Sequence, residues 1–133
     1  MSVAFTEQAV VERRKTVTRR KGWWEDKNGR RLLAPGDRLT LCRKVMGRKK
    51  GEPLVRLAEV EVVSVRREWL CYVAGPYVVD EDGTVTWPEM VAEGFPDMAP
   101  TEFMRRYFID AQGIGATDDV TRIEWRYLDE VSP

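Results

Sequence analysis

Polar and apolar residues alternate along three segments of the chain, and this pattern predicts β-strands. The segments are residues 38–42, 54–65 and 120–128, each of which would place its apolar side chains on one face of a sheet. The longest, 54–65, is rich in valine, which favours strands. Its alternation slips between Leu57 and Val60, so we predict a bulge or bend of the kind that turns a barrel strand round a corner.

Two further segments have the composition of strands, and turn signals separate the strands from one another. Residues 15–20 combine Thr and Val and should be extended, and residues 69–79 are rich in β-forming residues although Gly75-Pro76 interrupts them. Pairs typical of tight turns are found at Asn28-Gly29, Pro35-Gly36 and Asp82-Gly83. The last of these pairs predicts a hairpin.

Three short segments carry helix signals. Residues 6–14 begin with Thr6 as a candidate N-cap, and residues 88–93 begin with proline and are followed by Gly94. Residues 100–108 carry an apolar stripe that we expect to pack in the core, formed by Phe103, Met104, Tyr107 and Phe108. With five or six strands and two or three short helices, residues 1–133 are predicted to form one α+β domain.

The charges of the chain sum to zero but are unevenly distributed along it. Residues 13–50 contain 15 Lys or Arg against three acidic residues, whereas residues 80–130 contain 13 Asp or Glu against four Arg. If the charges remain separated in the fold, one face is basic and suited to phosphate. If strands from the two halves interleave, the charges mix in space, and the sequence leaves both arrangements open.

The composition excludes several kinds of site. The chain has no histidine, which removes the commonest general base, the Ser-His-Asp triad and most zinc sites. Cys42 and Cys71 lack metal-binding spacing and are expected to be reduced, buried thiols. There is no apolar run of 18 residues and no secretory leader pattern, so we expect a cytoplasmic protein with no membrane association, no metal and no cofactor.

The densest group of cations and hydroxyls is the segment Lys15-Thr16-Val17-Thr18-Arg19-Arg20. Arg13 and Arg14 precede it, and Lys21 and the pair Trp23-Trp24 follow it closely. Clustered cations next to aromatic residues are typical of surfaces that contact phosphate and stack on bases. This segment is therefore the first candidate for a functional site.

Four pieces of the chain, taken in order, resemble the motifs of the ASCH family, whose members are small domains with the PUA-like β-barrel fold. The pieces are residues 14–20, 35–39, 93–95 and 120–125, and the resemblance spans about residues 5 to 129. Residues 44–53 and 72–86 are insertions relative to a minimal member. The resemblance implies a mainly antiparallel β-barrel, a cleft lined by the first piece, and RNA or a nucleoside as the ligand.

In this RNA-binding interpretation, cations of the first piece contact phosphate and a tryptophan stacks on a base. The candidate nucleic-acid-binding residues are Arg14, Lys15, Arg19, Arg20, Lys21, Trp23 and Trp24. The tryptophans have an alternative role as a packing pair, since Trp is mostly buried on average. Lys15 has an alternative role as a solvated cation.

One branch of the family is similar to amidohydrolases that remove the acetyl group from N4-acetylcytidine. That resemblance implies three catalytic residues here: Lys15 as base, Thr18 as nucleophile and Glu93 as acid or base. Residues three apart on a regular strand point to opposite faces. Lys15 and Thr18 therefore share a site only if the strand is bulged or if Lys15 precedes it. Otherwise Thr18 is an ordinary strand residue and Glu93 a surface carboxylate.

A third interpretation is a protein-interaction module that uses the acidic C-terminal half against a protein partner. Small free-standing ASCH proteins are common in phages, so a phage origin and a host protein as partner are compatible with this interpretation.

Overall fold

The computed structural model describes residues 1–128 of the protein, so the last residues of the predicted domain, 129–133, lie outside the described part. Its centre is a four-stranded antiparallel sheet. The strands are β1 (Val17–Arg20), β2 (Arg38–Cys42), β3 (Arg56–Trp69) and β6 (Asp119–Tyr127). Across the sheet they lie in the order β1-β6-β3-β2. The sheet curls into a half-barrel, which confirms the predicted α+β class and the mainly antiparallel sheet.

The longest strand, β3, is irregular in two places. Its pairing with β2 skips Leu57, because Leu41 pairs with Ala58 and the next residue of β2 pairs with Arg56. This confirms the irregularity predicted next to Leu57. Its pairing with β6 shifts a second time between Val62 and Ser64, a shift that the sequence pattern did not indicate. Shifts of this kind bend a strand locally and increase its twist.

Short helices cover the open side of the sheet. A 3-10 turn (Ala4–Thr6) leads into α1 (Glu7–Val11), and α2 spans Pro88–Glu93. The last helical segment begins as α3 (Pro100–Met104), continues as a π-helix (Arg105–Ile109) and ends as α4 (Asp110–Gln112). The predicted helix at residues 6–14 is shorter than expected, because Arg13 adopts a left-handed conformation with φ 60°, and Thr6 makes no capping hydrogen bond with its side chain.

The strand predicted over residues 69–79 is mostly wrong. Leu70–Ala74 forms a 3-10 helix, which buries Leu70 and Val73 on one face because residues three apart are aligned in a 3-10 helix. Only Trp69, the last residue of β3, and Val78–Val79 (β4) are in strands, and β4 pairs with Val85–Thr86 (β5). This pairing confirms the hairpin predicted from the Asp-Gly pair.

Two hydrophobic cores lie on either side of the central sheet region. The first packs α1 and the N-terminal segment against the sheet, through Val3, Val10, Leu33, Leu41, Val60, Val62, Ile123 and Trp125. The second packs the helical segments together, through Leu70, Val73, Met90, Phe103, Met104, Phe108, Ile114 and Val120. Phe103, Met104 and Phe108 are buried as predicted for the apolar stripe, and Tyr107 is half-buried beside them.

The remaining sequence expectations concern thiols, metals and membranes. Cys42 is buried and Cys71 only half-buried, and both are free thiols, so the expectation of burial is wrong for Cys71. Within residues 1–128 no helix is long and apolar enough to cross a membrane. The same residues contain no group of three or more His, Cys, Asp or Glu side chains placed to hold a metal ion.

Candidate functional site

A cleft of about 200 Å³ lies between β1, the N-terminal segment and the π-helix. One wall is polar and is formed by Lys15, Thr18, Arg19, Arg20 and Glu93. A second wall is aromatic and is formed by Phe5, Phe95, Phe103, Tyr107 and Phe108. The volume is below the roughly 300–1,000 Å³ of sites for drug-sized ligands, so the cleft suits a group the size of a single ring system.

The backbone of Lys15 is fixed just before β1 begins. The left-handed turn at Arg13 brings the chain back over α1, so that Lys15 N donates to the carbonyl of Ala9 at 3.2 Å. The carbonyl of Lys15 in turn accepts from the indole Nε1 of Trp125 at 3.0 Å and from the hydroxyl of Tyr127. Because Lys15 precedes the strand, it lines the same cleft as Thr18, as one of the two predicted geometries requires.

The side chain of Lys15 is buried against the end of α2. Its Nζ donates to the carbonyl of Glu93 at 2.7 Å and to Glu93 Oε1 at 3.2 Å. Gly94 ends α2 with φ +94°, and a Cβ there would lie 3.1 Å from Ala9 Cβ and 3.2 Å from Thr6 Cγ2. Only glycine allows this close approach in this backbone conformation, so Gly94 determines where Glu93 meets Lys15.

Arg19 is the centre of a buried network of ion pairs. Its guanidinium donates to Glu68 Oε2 at 3.1 Å, to Glu93 Oε2 at 3.0 Å and to Glu89. Arg122 shares Glu89, with Nε donating to Oε1 at 2.8 Å. Cations of the first half of the chain therefore meet carboxylates of the second half, so around the cleft the charges mix rather than form a separate basic face. Arg19, one of the predicted phosphate contacts, is bonded to three carboxylates.

Burial and neighbouring charges alter the proton affinity of Lys15. Burial lowers the pKa of its ammonium, and the nearby cations Arg20 and Arg19 lower it further. The Glu93 carboxylate acts in the opposite direction but does not cancel the effect of burial. A lysine in this environment releases its proton more readily than one in water.

The carboxylate of Glu89 is held in its ionised form. Burial alone would raise its pKa, but hydrogen bonds from Arg122 and Arg19 outweigh that effect and lower the pKa to about 2. Burial acts against the charge of Arg19 too, yet the carboxylates of Glu93 and Glu68 raise its pKa. Glu89 and Arg19 therefore remain charged at neutral pH.

Thr18 and Arg20 lie on the same face of β1, as residues two apart on a strand do. Arg20 Nε donates to Thr18 Oγ1 at 3.2 Å, and Arg20 Nη2 donates to the carbonyl of Ser2 at 2.6 Å. Burial lowers the pKa of Arg20, and the charge of Glu93 only partly offsets this. Among the hydrogen bonds of residues 1–128, none joins Lys15 to Thr18, although both line the cleft.

The two tryptophans lie outside the cleft. The ring of Trp24 is stacked beneath the guanidinium of Arg31, 3.2 Å from the ring centroid, and Arg67 lies 6.0 Å from the same ring. Trp23 adopts φ 70° and packs at the edge of the first core. The packing role that the sequence left open is the one observed for Trp23.

Two of the predicted phosphate contacts are on the surface and away from the cleft. Arg14 is exposed and pairs with Glu12 at 3.0 Å. Lys21 is exposed, and its carbonyl accepts a weak hydrogen bond from Arg67 at 3.4 Å. Of the predicted site residues, the structure therefore brings together five in one cleft: Lys15, Thr18, Arg19, Arg20 and Glu93.

The aromatic wall is the part of the site that sequence reasoning did not identify. Its helical residues were predicted to be core, and Phe103 and Phe108 are indeed buried, yet both also line the cleft. The π-helix that carries Tyr107 and Phe108 is a conformation found frequently at functional sites. A sequence signal was present, because three of the six residues from 103 to 108 are aromatic.

No protein-family model and no curated protein matches the sequence. The structure is similar to that of a DUF984 protein from Enterococcus faecalis V583, with a TM-score of 0.57 and 16% identity, over 92% of this chain and 66% of that chain. The chain thus spans just under two thirds of the length of the Enterococcus protein. It is also similar to an ASCH domain from Lactobacillus crispatus JV V101, with a TM-score of 0.54 and 14% identity, over 96% of this chain and 75% of that chain. The fold of the protein is therefore ASCH-like, as the ordered motifs predicted.

Proposed function

We propose that the protein binds RNA or a nucleoside by placing one unstacked base in the cleft. The observation that carries this proposal is that aromatic rings and hydrogen-bonding side chains line the same cleft, a space the size of a single ring system. Proteins that read single-stranded RNA stack bases on aromatic side chains and bond to the base edges. The ASCH-like fold is consistent with this proposal.

The aromatic wall offers a continuous stacking surface. Tyr107 is at its centre, with ring centroids 5.2 Å from Phe95, 5.3 Å from Phe5 and 5.7 Å from Phe103. Phe5 is 78% exposed at the mouth of the cleft, where a large apolar side chain gains little from the core. A base inserted beside Tyr107 would cover this exposed aromatic surface.

The polar wall offers groups that can bond to a base edge. The Thr18 hydroxyl accepts from Arg20 and so retains its own hydrogen for donation to a ligand. Gln112 lines the cleft and donates to the carbonyl of Tyr107 at 2.8 Å, which leaves its amide oxygen as an acceptor. A donor and an acceptor thus line the same cleft as the stacking surface.

Calorimetric titration with the four ribonucleosides and with a single-stranded RNA pentamer tests this proposal. We expect binding that falls about ten-fold or more in Tyr107→Leu, which removes the central stacking ring. Tyr77→Leu is the matched control, because Tyr77 is 64% exposed and does not line the cleft. Absence of binding to all five ligands, or equal loss in both variants, would contradict the proposal.

A second candidate function, amide hydrolysis of a modified nucleoside such as N4-acetylcytidine, is favoured by a specific observation. Lys15, Thr18 and Glu93 line the same cleft, and Lys15 is buried with a lowered pKa. As a base, Lys15 must first release its proton, and the carboxylate oxygen that can accept it is Glu93 Oε1, 3.2 Å from Nζ. The neutral amine would then take the Thr18 proton as Oγ1 attacks the acetyl carbonyl, and Glu93 would donate a proton to the leaving amine. Water would next attack the acetyl-Thr18 ester, with the Glu93 carboxylate accepting a proton from the water and the Lys15 ammonium returning a proton to Thr18 Oγ1. This step releases acetic acid and restores the neutral Lys15 amine and the protonated Glu93 carboxyl.

Release of cytidine from N4-acetylcytidine, followed by chromatography across pH 7 to 9, tests the second candidate. Hydrolysis is expected to be lost in Thr18→Val, which removes the nucleophile, and in Lys15→Arg, which keeps the charge but cannot serve as a base. If the wild type releases cytidine no faster than the two variants do, hydrolysis is contradicted, whereas the proposed binding function is unaffected.

A further inference from the structure

We propose that the cleft contains a phosphate subsite at Arg20, so that the ligand is a nucleotide and not a neutral nucleoside. This inference rests on the proposed function, because it assumes that the base occupies the aromatic side of the same cleft. Of the three cations that line the cleft, Lys15, Arg19 and Arg20, it assigns phosphate binding to Arg20 alone.

Charge pairing distinguishes Arg20 from its neighbours. The cleft is lined by three cations and a single carboxylate, that of Glu93. Lys15 and Arg19 both bond to this carboxylate, and Arg19 has two further glutamate partners behind the cleft. In the part of the chain that the structure describes, Arg20 forms no ion pair with a carboxylate. The positive charge that remains uncompensated at the cleft is therefore located on Arg20.

The hydrogen bonds of Arg20 orient its guanidinium without neutralising it. Nε donates to the hydroxyl of Thr18 at 3.2 Å and Nη2 to the carbonyl of Ser2 at 2.6 Å, and both acceptors are neutral. Neither bond uses Nη1, which can donate to a ligand. A guanidinium held by two neutral acceptors is preorganised, so an anion that binds it does not have to order a flexible side chain.

The partial burial of Arg20 favours the binding of an anion. Burial lowers the pKa of Arg20, which means that its charged form is poorly solvated in the cleft. An anionic group that enters recovers the lost solvation through charge-assisted hydrogen bonds, the strongest class of such bonds. Arginine is also the side chain whose planar fork matches the oxygen atoms of a phosphate.

The size of the cleft separates the base from the phosphate. A space of about 200 Å³ is below the roughly 300–1,000 Å³ of sites for drug-sized ligands, so we place only the base inside the cleft. Arg20 is only half-buried, so a phosphate bound to it remains partly in water at the rim. The phosphate can be the terminal monoester of a free nucleotide or the diester within an RNA chain, because both present oxygen anions to the guanidinium.

The test compares each ribonucleoside with its 5′-monophosphate and with a dinucleoside 3′,5′-monophosphate, by calorimetry at low salt. In the wild type we expect a phosphate-bearing ligand to bind about ten- to a hundred-fold more tightly than the nucleoside. Tighter binding of the monoester indicates a free nucleotide, and tighter binding of the diester indicates RNA. Either result supports the subsite.

Variants decide whether Arg20 is responsible. Arg20→Gln should reduce the affinity for the phosphate-bearing ligand to that for the nucleoside, whereas Arg20→Lys should keep part of the preference. Lys50→Gln, which removes one exposed positive charge outside the cleft, is the control and should keep the full preference for the phosphate-bearing ligand over the nucleoside.

Two outcomes overturn the subsite while leaving base binding intact: equal affinity of the wild type for nucleoside and nucleotide, or a preference that survives in Arg20→Gln. Absence of binding to every ligand overturns the proposed function instead. If Arg20→Gln fails to fold, competition in the wild type decides: inorganic phosphate should weaken binding of the monophosphate and leave nucleoside binding unchanged. Equal weakening of both, or of neither, contradicts the subsite.

Discussion

Lys15 and Glu93, 78 residues apart in the chain, are joined by two hydrogen bonds from one ammonium group: Lys15 Nζ donates to both the carbonyl and the carboxylate of Glu93. Both side chains are 3% exposed. Glu93 also accepts from Arg19, so a single carboxylate compensates two buried cations. This arrangement joins the segment before β1 and, through Arg19, β1 itself to the end of α2, and all three residues line the cleft.

Removal of the Glu93 charge should therefore be costly. Glu93→Gln leaves two buried cations short of a partner, and the loss of one member of a buried pair typically costs about 3–5 kcal/mol. The free energy of unfolding, measured in urea, should fall by that order of magnitude. Glu12→Gln, which breaks the exposed pair with Arg14, is the control and should leave stability nearly unchanged. Similar small effects in both variants would show that the buried network contributes little to stability.

The close packing at Gly94 predicts a large effect of an added methyl group. Gly94→Ala introduces a Cβ 3.1 Å from Ala9 and forces a non-glycine residue into φ +94°. Gly83 has φ +84° with no atom within 4 Å of such a Cβ, so Gly83→Ala isolates the backbone cost of about 1–2 kcal/mol. Gly94→Ala should destabilise by about 1–3 kcal/mol more, because of overpacking. Equal destabilisation in both variants would refute the packing argument.

The Glu89 carboxylate predicts a loss of stability in acid. Its pKa is about 2 in the folded protein, below the ordinary value of 4.5, so its contribution is complete above pH 4.5 and is lost as the pH falls towards 2. Allowing for its partial contact with water, we expect a contribution on the order of 1–2 kcal/mol. Unfolding free energies between pH 5 and pH 3 should fall less steeply in Glu89→Gln than in the wild type. Glu102→Gln, at an exposed site, should keep the wild-type slope, and a wild-type slope in Glu89→Gln would contradict the prediction.

Trp24 should contribute to stability and not to ligand binding. Its ring lies 3.2 Å from the guanidinium carbon of Arg31 and does not line the cleft. Trp24→Leu should lower the unfolding free energy by about 0.5–1 kcal/mol through loss of the cation–π contact. The dissociation constant for a ribonucleotide should remain within about two-fold of the wild type. A loss of binding comparable to that in Tyr107→Leu would restore the stacking role predicted from the sequence.

Much of the fold is predictable because its signals are local. The alternation over residues 38–42 gives β2 with its correct bounds, and the turn before it is made by Gly36 with φ +95°. Proline at the start and Gly94 at the end delimit α2. The failure at Leu70–Ala74 has a non-local cause: β-forming residues are also good core residues, and tertiary packing placed them in a 3-10 helix.

The site was only partly predictable, because its geometry depends on contacts between distant residues. The motif identified Lys15, Thr18, Arg19 and Arg20, which do share a cleft. The pattern did not show that Arg19 would be neutralised by three glutamates from residues 68–93, since no local signal links these positions. The aromatic wall was assigned to the core for the same reason, because its exposure depends on where the N-terminal segment packs.

The most direct test of the central claim is to map the binding site by NMR, following the amide resonances of the ¹⁵N-labelled protein during titration with ribonucleoside 5′-monophosphates. The account predicts the largest shifts at residues that line the cleft, among them Thr18, Arg20, Phe95, Tyr107 and Phe108. It predicts much smaller shifts in the loop that carries Trp24 and Arg31. An absence of shifts at saturating ligand, or shifts confined to that loop, would contradict the proposal that the cleft binds the base.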